Sequence, residues 1–267
     1  MNRVLLRQTW RAQQLKVVIV ALSVGIWSSL MPIVYGTFGQ TFREIINSGL
    51  IPVEFTRFGG GDIFSLSGSI AVGAIHPITL VLDCIFAVGF AASAVAGERQ
   101  RGTLEVLLAR PLSRRTTYVT LLVATLLFVA VTLAATVVGA VVGSVLGGVA
   151  DELDPAELPW LWLNGFLLFG AISAIGLAAS VSFDRLTPAL GITGGIVVVM
   201  YVLEVLGTFW PDARGLQPYS LFHYFDAKDV LNGSLRAGDL GLLAAVGAAA
   251  VVWALVVFPR RDLAAPS

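Results

Sequence analysis

Three ionisable residues, His76, Asp83 and Glu204, stand inside otherwise apolar runs. A carboxylate at mid-bilayer costs roughly 2.5–3.5 kcal/mol on insertion scales, so it needs a partner or a water-filled cavity. His76 and Asp83 are seven positions apart, which puts them on one helical face two turns from each other. Asp83 is the deepest of the three. Glu204 stands near the outer end of its run, beside Tyr201. These four residues, Asp83, His76, Glu204 and Tyr201, are the candidates for lining a translocation path. The competing reading is a set of buried hydrogen bonds across helices. Pro77 biases His76 away from helical backbone, so a kink or a helix start is expected there, with His76 at the outer mouth.

Other chemistries find little support. His76 and His223 are the two histidines and Cys84 is the lone cysteine, which leaves no metal-ligand cluster and no intramolecular disulfide. Cys84 lies in an apolar run and reads as a buried structural thiol. No G-x-x-x-x-G-K-[ST] phosphate loop and no G-x-S-x-G elbow occur. Gly59-Gly-Gly-Asp62 fits the G-x-G-D pattern of aspartyl intramembrane proteases. Those enzymes need the aspartate inside a span, whereas Asp62 falls in a glycine-rich outer segment.

The elements that carry these residues are set by composition. Of the 267 residues, 57% are hydrophobic and 13% charged, about half the charged share of an average soluble domain. A water-facing surface cannot be built from so little polarity, and lipid is the natural solvent. Six stretches are long and apolar enough to span, at 17–36, 70–96, 117–149, 158–181, 188–207 and 240–258. An all-α integral membrane protein with six transmembrane helices is expected, in a single domain over 1–267. The third stretch holds a G-x-x-x-G pattern at Gly143 and Gly147, which permits close helix contact. The first apolar run is long enough to stay as an anchor, with no cleavable signal evident.

Twelve of the seventeen lysines and arginines fall on the side that holds both ends of the chain, so both termini are expected in the cytoplasm of a multi-pass cell-membrane protein. Residues 1–16 are too polar to span. Arg3, Arg7 and Arg11 share one side of a helical wheel, and an interfacial helix with its basic face toward lipid headgroups is expected. Two outer segments, 37–69 and 208–239, are longer than connectors. Short helices are expected over 221–231.

The most informative stretch is cytoplasmic and runs over 97–115. Thr103 can cap a short helix in which Leu104, Leu107 and Leu108 fall at i, i+3 and i+4, Pro111 ends it, and Ser113 can cap the next span. Such an amphipathic helix can dock a cytoplasmic partner or lie flat in the lipid interface. Residues 98–114, ERQRGTLEVLLARPLSR, resemble the E-x-x-x-G-T-L-E-x-L-L-x-x-P-x-S-R signature of ABC-2 type transporter permeases, and every fixed position is filled. Residues 216–227, LQPYSLFHYFDA, are similar to the S-P-F-x-Y-F-D segment before the last span of that family, with Leu221 where proline is usual.

The resemblance implies the membrane subunit of an ATP-binding cassette exporter, working as a dimer of permease subunits with two cytoplasmic ATPase subunits. Glu98, Gly102, Thr103, Leu104, Glu105, Leu107, Leu108, Pro111 and Arg114 would form the ATPase-coupling segment. Glu98 and Glu105 would make polar contacts there, and Arg114 would anchor the start of the third span. Pro218, Tyr219, Phe222, Tyr224, Phe225 and Asp226 would belong to a re-entrant extracellular gate. ATP and Mg would sit in the partner and no cofactor in this chain. The mostly aliphatic spans lean toward a hydrophobic or amphipathic cargo. The alternative is a secondary transporter or channel that uses an ion gradient without an ATPase. A membrane anchor that transmits force without moving cargo is a third reading.

Overall fold

The computed structural model describes residues 1–48, 65–103 and 112–261, and among these the regular structure is entirely helical. Helix α1 runs over Arg3–Asn47. Asn2 starts it by accepting the Leu5 N–H at 2.9 Å, which satisfies one of the donors that a helix start leaves free. At about 1.5 Å per residue α1 is roughly 67 Å long, about twice a bilayer core. The separate interfacial helix expected over 1–16 is therefore corrected: the basic segment is the first part of α1. No proline or glycine stands between Arg11 and Val17, so the backbone ladder has nothing to stop it where polarity changes. At its far end α1 also absorbs the start of the expected outer segment 37–69. The rest of that segment, Asp62 included, lies outside the described residues.

Helices α2 (Leu66–Ile75) and α3 (Pro77–Ser93) meet at a bend of 50°, where a single stretch over 70–96 was expected. The residue between them is His76, in extended backbone as the following proline demands. Its Nδ1 accepts the Ile78 N–H at 3.2 Å, so the same side chain that marks the break caps the helix after it. Within α3, residues Ile85–Phe90 widen into a π-helical turn. A short helix α4 (Ala96–Gln100) follows.

Helix α5 (Arg114–Leu146) begins at Ser113, whose Oγ accepts the Thr116 N–H at 3.1 Å, the cap its sequence suggested. Next come α6 (Leu158–Ser182) and α7 (Leu186–Phe209). Two 3-10 segments, Pro211–Tyr219 and Leu221–Tyr224, and a short helix α8 (Ala227–Leu231) lead to α9 (Ala237–Arg260). Short helices over 221–231 are thus as expected. Among the described residues, five single helices are long and apolar enough to cross a membrane, and the α2–α3 pair makes a sixth span if it crosses as one.

Of the five single spans, α6 is the most buried. Its Leu168, Phe169, Ile172 and Leu177 are sealed in. Helices α7 and α9 turn Val198, Val199, Val202, Val252, Trp253 and Val256 outward instead, an apolar exterior that suits lipid.

The tightest packing joins α1 to α5, which run in the same direction side by side. A Cβ added at Gly139 would stand 2.2 Å from the Gly25 carbonyl oxygen, at Gly143 2.2 Å from that of Ser29, and at Gly147 2.7 Å from that of Pro32. Glycine at 139, 143 and 147 is what lets the two backbones touch. Ser28 adds a hydrogen bond from its Oγ to the Thr136 carbonyl at 2.8 Å.

Candidate functional site

At the end of the bundle that carries both termini, the entrance to the 97–115 stretch is built as a closed set of hydrogen bonds. Helix α4 starts on α6: the Val95 and Ala96 N–H groups donate to Ser180 Oγ at 2.9 and 3.0 Å. It ends in a Schellman motif. Gly102 takes φ +71, its N–H donates to the Arg99 carbonyl at 3.0 Å, and the Thr103 N–H reaches back to the Glu98 carbonyl at 3.0 Å. The Glu98 carboxylate then accepts Thr103 Oγ1 at 2.5 Å and pairs with Arg101. Glu98, Gly102 and Thr103 therefore act on one another, and together they fix the direction in which the chain leaves toward residue 104. The Thr103 hydroxyl donates to Glu98, and the helix it was expected to cap lies outside the described residues. Leu104, Glu105, Leu107, Leu108 and Pro111 lie outside the described residues.

The same entrance is clamped to three spans. Asp184, in the turn between α6 and α7, sits 2.5 Å from Arg99 Nη1 and also pairs with Arg261 beyond α9. Gln100 Oε1 accepts the Leu186 N–H at 2.9 Å, capping α7. On the far side of the stretch, Arg114 donates to the carbonyls of Arg261 at 2.5 Å, Phe258 at 3.3 Å and Pro259 at 3.4 Å. It thus ties the start of α5 to the last turn of α9, where unpaired carbonyls favour a cation. Glu98, Arg101 and Thr103 also line a cavity of about 510 Å³ shared with Gln8, Gln13 and Lys16 of α1.

At the opposite end, the structure gathers Glu204 with most of the 218–226 group. Glu204 Oε1 accepts Gln217 Nε2 at 3.0 Å, and its Oε2 lies 3.8 Å from His223 Nδ1. Tyr201 meets Phe222 edge-on, with ring centroids 5.8 Å apart. The Tyr224 hydroxyl donates to the Pro218 carbonyl at 2.9 Å, and Asn164 of α6 donates from Nδ2 to the Tyr224 carbonyl at 3.0 Å. Asp226 Oδ1 caps α8 by accepting the Asp229 N–H at 3.0 Å. Burial pushes the Asp226 carboxyl above the usual range, partly offset by its backbone hydrogen bonds. Glu204, Phe222, Tyr224, Phe225 and Asp226 line one cavity of about 270 Å³. Tyr219 is exposed and is not among the cavity's lining residues.

Of the four path candidates only Glu204 lines that cavity; Tyr201 reaches it only through Phe222, and His76 and Asp83 stand apart from it. His76 packs against Trp27 with ring centroids 4.7 Å apart and the planes tilted by 42°, and it caps α3. Asp83 is 1 % exposed, with Thr132 of α5 as its polar neighbour. It stands two residues before the π-helical segment and lines neither of the two cavities described above.

A family model described as ABC-2 family transporter protein matches residues 9–263. The chain belongs to the ABC-2 transporter family. No curated protein matches it. As an ABC-2 chain with several membrane-crossing helices, it is a multi-pass membrane protein and a membrane subunit of an ABC transporter. Sequence reasoning on this ABC-2 chain passed over Ser180, Asp184, Arg261 and Asn164. Asn164 carried a usable signal, a lone amide inside an apolar run. The other three matter only through partners about 80 or more positions away, and nothing local in the sequence announces those.

Proposed function

We propose that this chain is the permease subunit of an ABC exporter in the cell membrane, with both termini in the cytoplasm. A separate ATPase subunit docks on the 97–115 stretch and supplies ATP hydrolysis, with ATP and Mg bound there. A second permease copy or homologue completes the transporter. The observation that carries this reading is the clamp around the stretch. An amphipathic segment lying idle in the interface needs no rigid footing. Here the residues on both sides of 104–111 are bonded to α6, α7 and α9, so a push on the segment reaches three spans at once. In this reading the segment 208–239 faces outside and closes the path, with Pro218, Tyr219, Phe222, Tyr224, Phe225 and Asp226 at the gate.

The test replaces Leu104 and Leu108 together with aspartate. The expected outcome is loss of the ATPase from the purified complex with insertion of the permease unchanged. Normal association in that double variant would remove the docking role from this stretch.

A further inference from the structure

Around the cavity at the end opposite the termini, carboxylates outnumber permanent cations among the described lining residues. Glu204, Asp226, Asp229 and Asp239 line it, and Arg236 is the one permanent cation among its described lining residues. Arg236 lies 3.8 Å from Asp229, so its charge is already engaged. Two buried acceptors beside the cavity have no hydrogen bond among the described residues. One is Asn164 Oδ1, on a residue 1 % exposed; the other is Glu204 Oε2. The amide of Asn164 is fixed in this sense because the Tyr224 carbonyl requires its N–H, so the oxygen stays free. A buried acceptor left unmade costs about 1–3 kcal/mol. Two of them, from α6 and α7, border one acidic and aromatic cavity, with His223 Nδ1 3.8 Å from Glu204 Oε2.

We propose that this cavity binds the ammonium or guanidinium group of a small organic cation. Asn164 Oδ1 and Glu204 Oε2 accept its N–H groups, the neighbouring carboxylates supply the field, and the rings of Phe222 and Tyr224 lie against its apolar part. Among the described residues no group of His, Cys, Asp and Glu is spaced to hold a metal ion, and an anion would meet like charge. As an identity for cargo, an amphipathic amine rests on the exporter reading. As a binding event, it requires no ATPase.

The experiment is calorimetry on the purified full chain in detergent, without partner, using benzylammonium against its neutral and anionic counterparts, benzyl alcohol and benzoate. Benzylammonium is expected to bind at least about tenfold more tightly than either. Glu204→Gln should bring it down to the level of the alcohol, and Asp229→Asn with Asp239→Asn should weaken it about threefold. Glu157→Gln, outside the cavity lining, should change nothing. Equal binding of the three probes would overturn the proposal, as would unchanged affinity in Glu204→Gln. Should that variant not fold, unchanged affinity in the Asp229 and Asp239 double variant overturns it instead. Absence of a co-purifying ATPase would leave the binding result standing, so the two readings fail separately.

Discussion

Gly102 holds φ +71 with open space where a Cβ would stand, so replacing it costs conformation and not a clash. Gly102→Ala should destabilise the α4 exit by about 1–2 kcal/mol, read as faster amide exchange over 96–103, and Gly102→Asn should cost less. Ser180 makes a sharper case. It is fully buried and serves the N–H groups of Val95 and Ala96 together. Ser180→Ala leaves both without an acceptor, for an expected loss of about 1–3 kcal/mol, seen as a lower melting temperature. Asp184→Asn should cost under about 1 kcal/mol, because its side chain is half exposed and water screens its two arginines. Asp226 sets a pH dependence. Its folded carboxyl is raised by burial, so its contribution is most favourable in acid and is lost as pH rises through that elevated value. Asp226→Asn, which keeps a capping oxygen, should flatten the decline measured in pH-resolved melting of 208–239.

At the scale of elements, the glycine seam between α1 and α5 has the clearest consequence. Gly143→Leu would drive a side chain into the Ser29 backbone. The helices must part by ångströms, and the expected result is several kcal/mol of destabilisation and poor recovery of folded protein. Gly194→Leu, where nothing lies within 4 Å, should be tolerated. The G-x-x-x-G spacing was visible in the sequence, although glycine is so common in spans that spacing alone could not name the partner helix. Spans such as α6 and α9 were legible to within a few residues because charge or proline brackets each apolar run. The unity of α1 was not legible: polarity reports where a membrane surface lies, and the backbone continues through it wherever no breaker stands. The kink at His76 could be read from Pro77. The π-helical turn at Ile85–Phe90 could not, since its wider ladder has no residue signature.

For the whole molecule, the anchors at the end that carries the termini and the cavity at the opposite end share one helix, α6, which supplies Ser180 at one end and Asn164 at the other. The two ends are therefore joined by a single helix, which in the proposed transport reading carries a push on 104–111 to the cavity. The 98–114 signature identified the segment from sequence. Its footing, an aspartate and a serine from distant turns, exists only once the spans have packed. The most direct test is purification of the tagged chain from its native cells in mild detergent, with identification of its companions and assay of ATP hydrolysis. The account predicts a stoichiometric subunit that carries a G-x-x-x-x-G-K-[ST] loop and hydrolyses ATP within the complex. A folded, solitary chain without associated ATPase activity would contradict it and return the 97–115 stretch to the lipid interface.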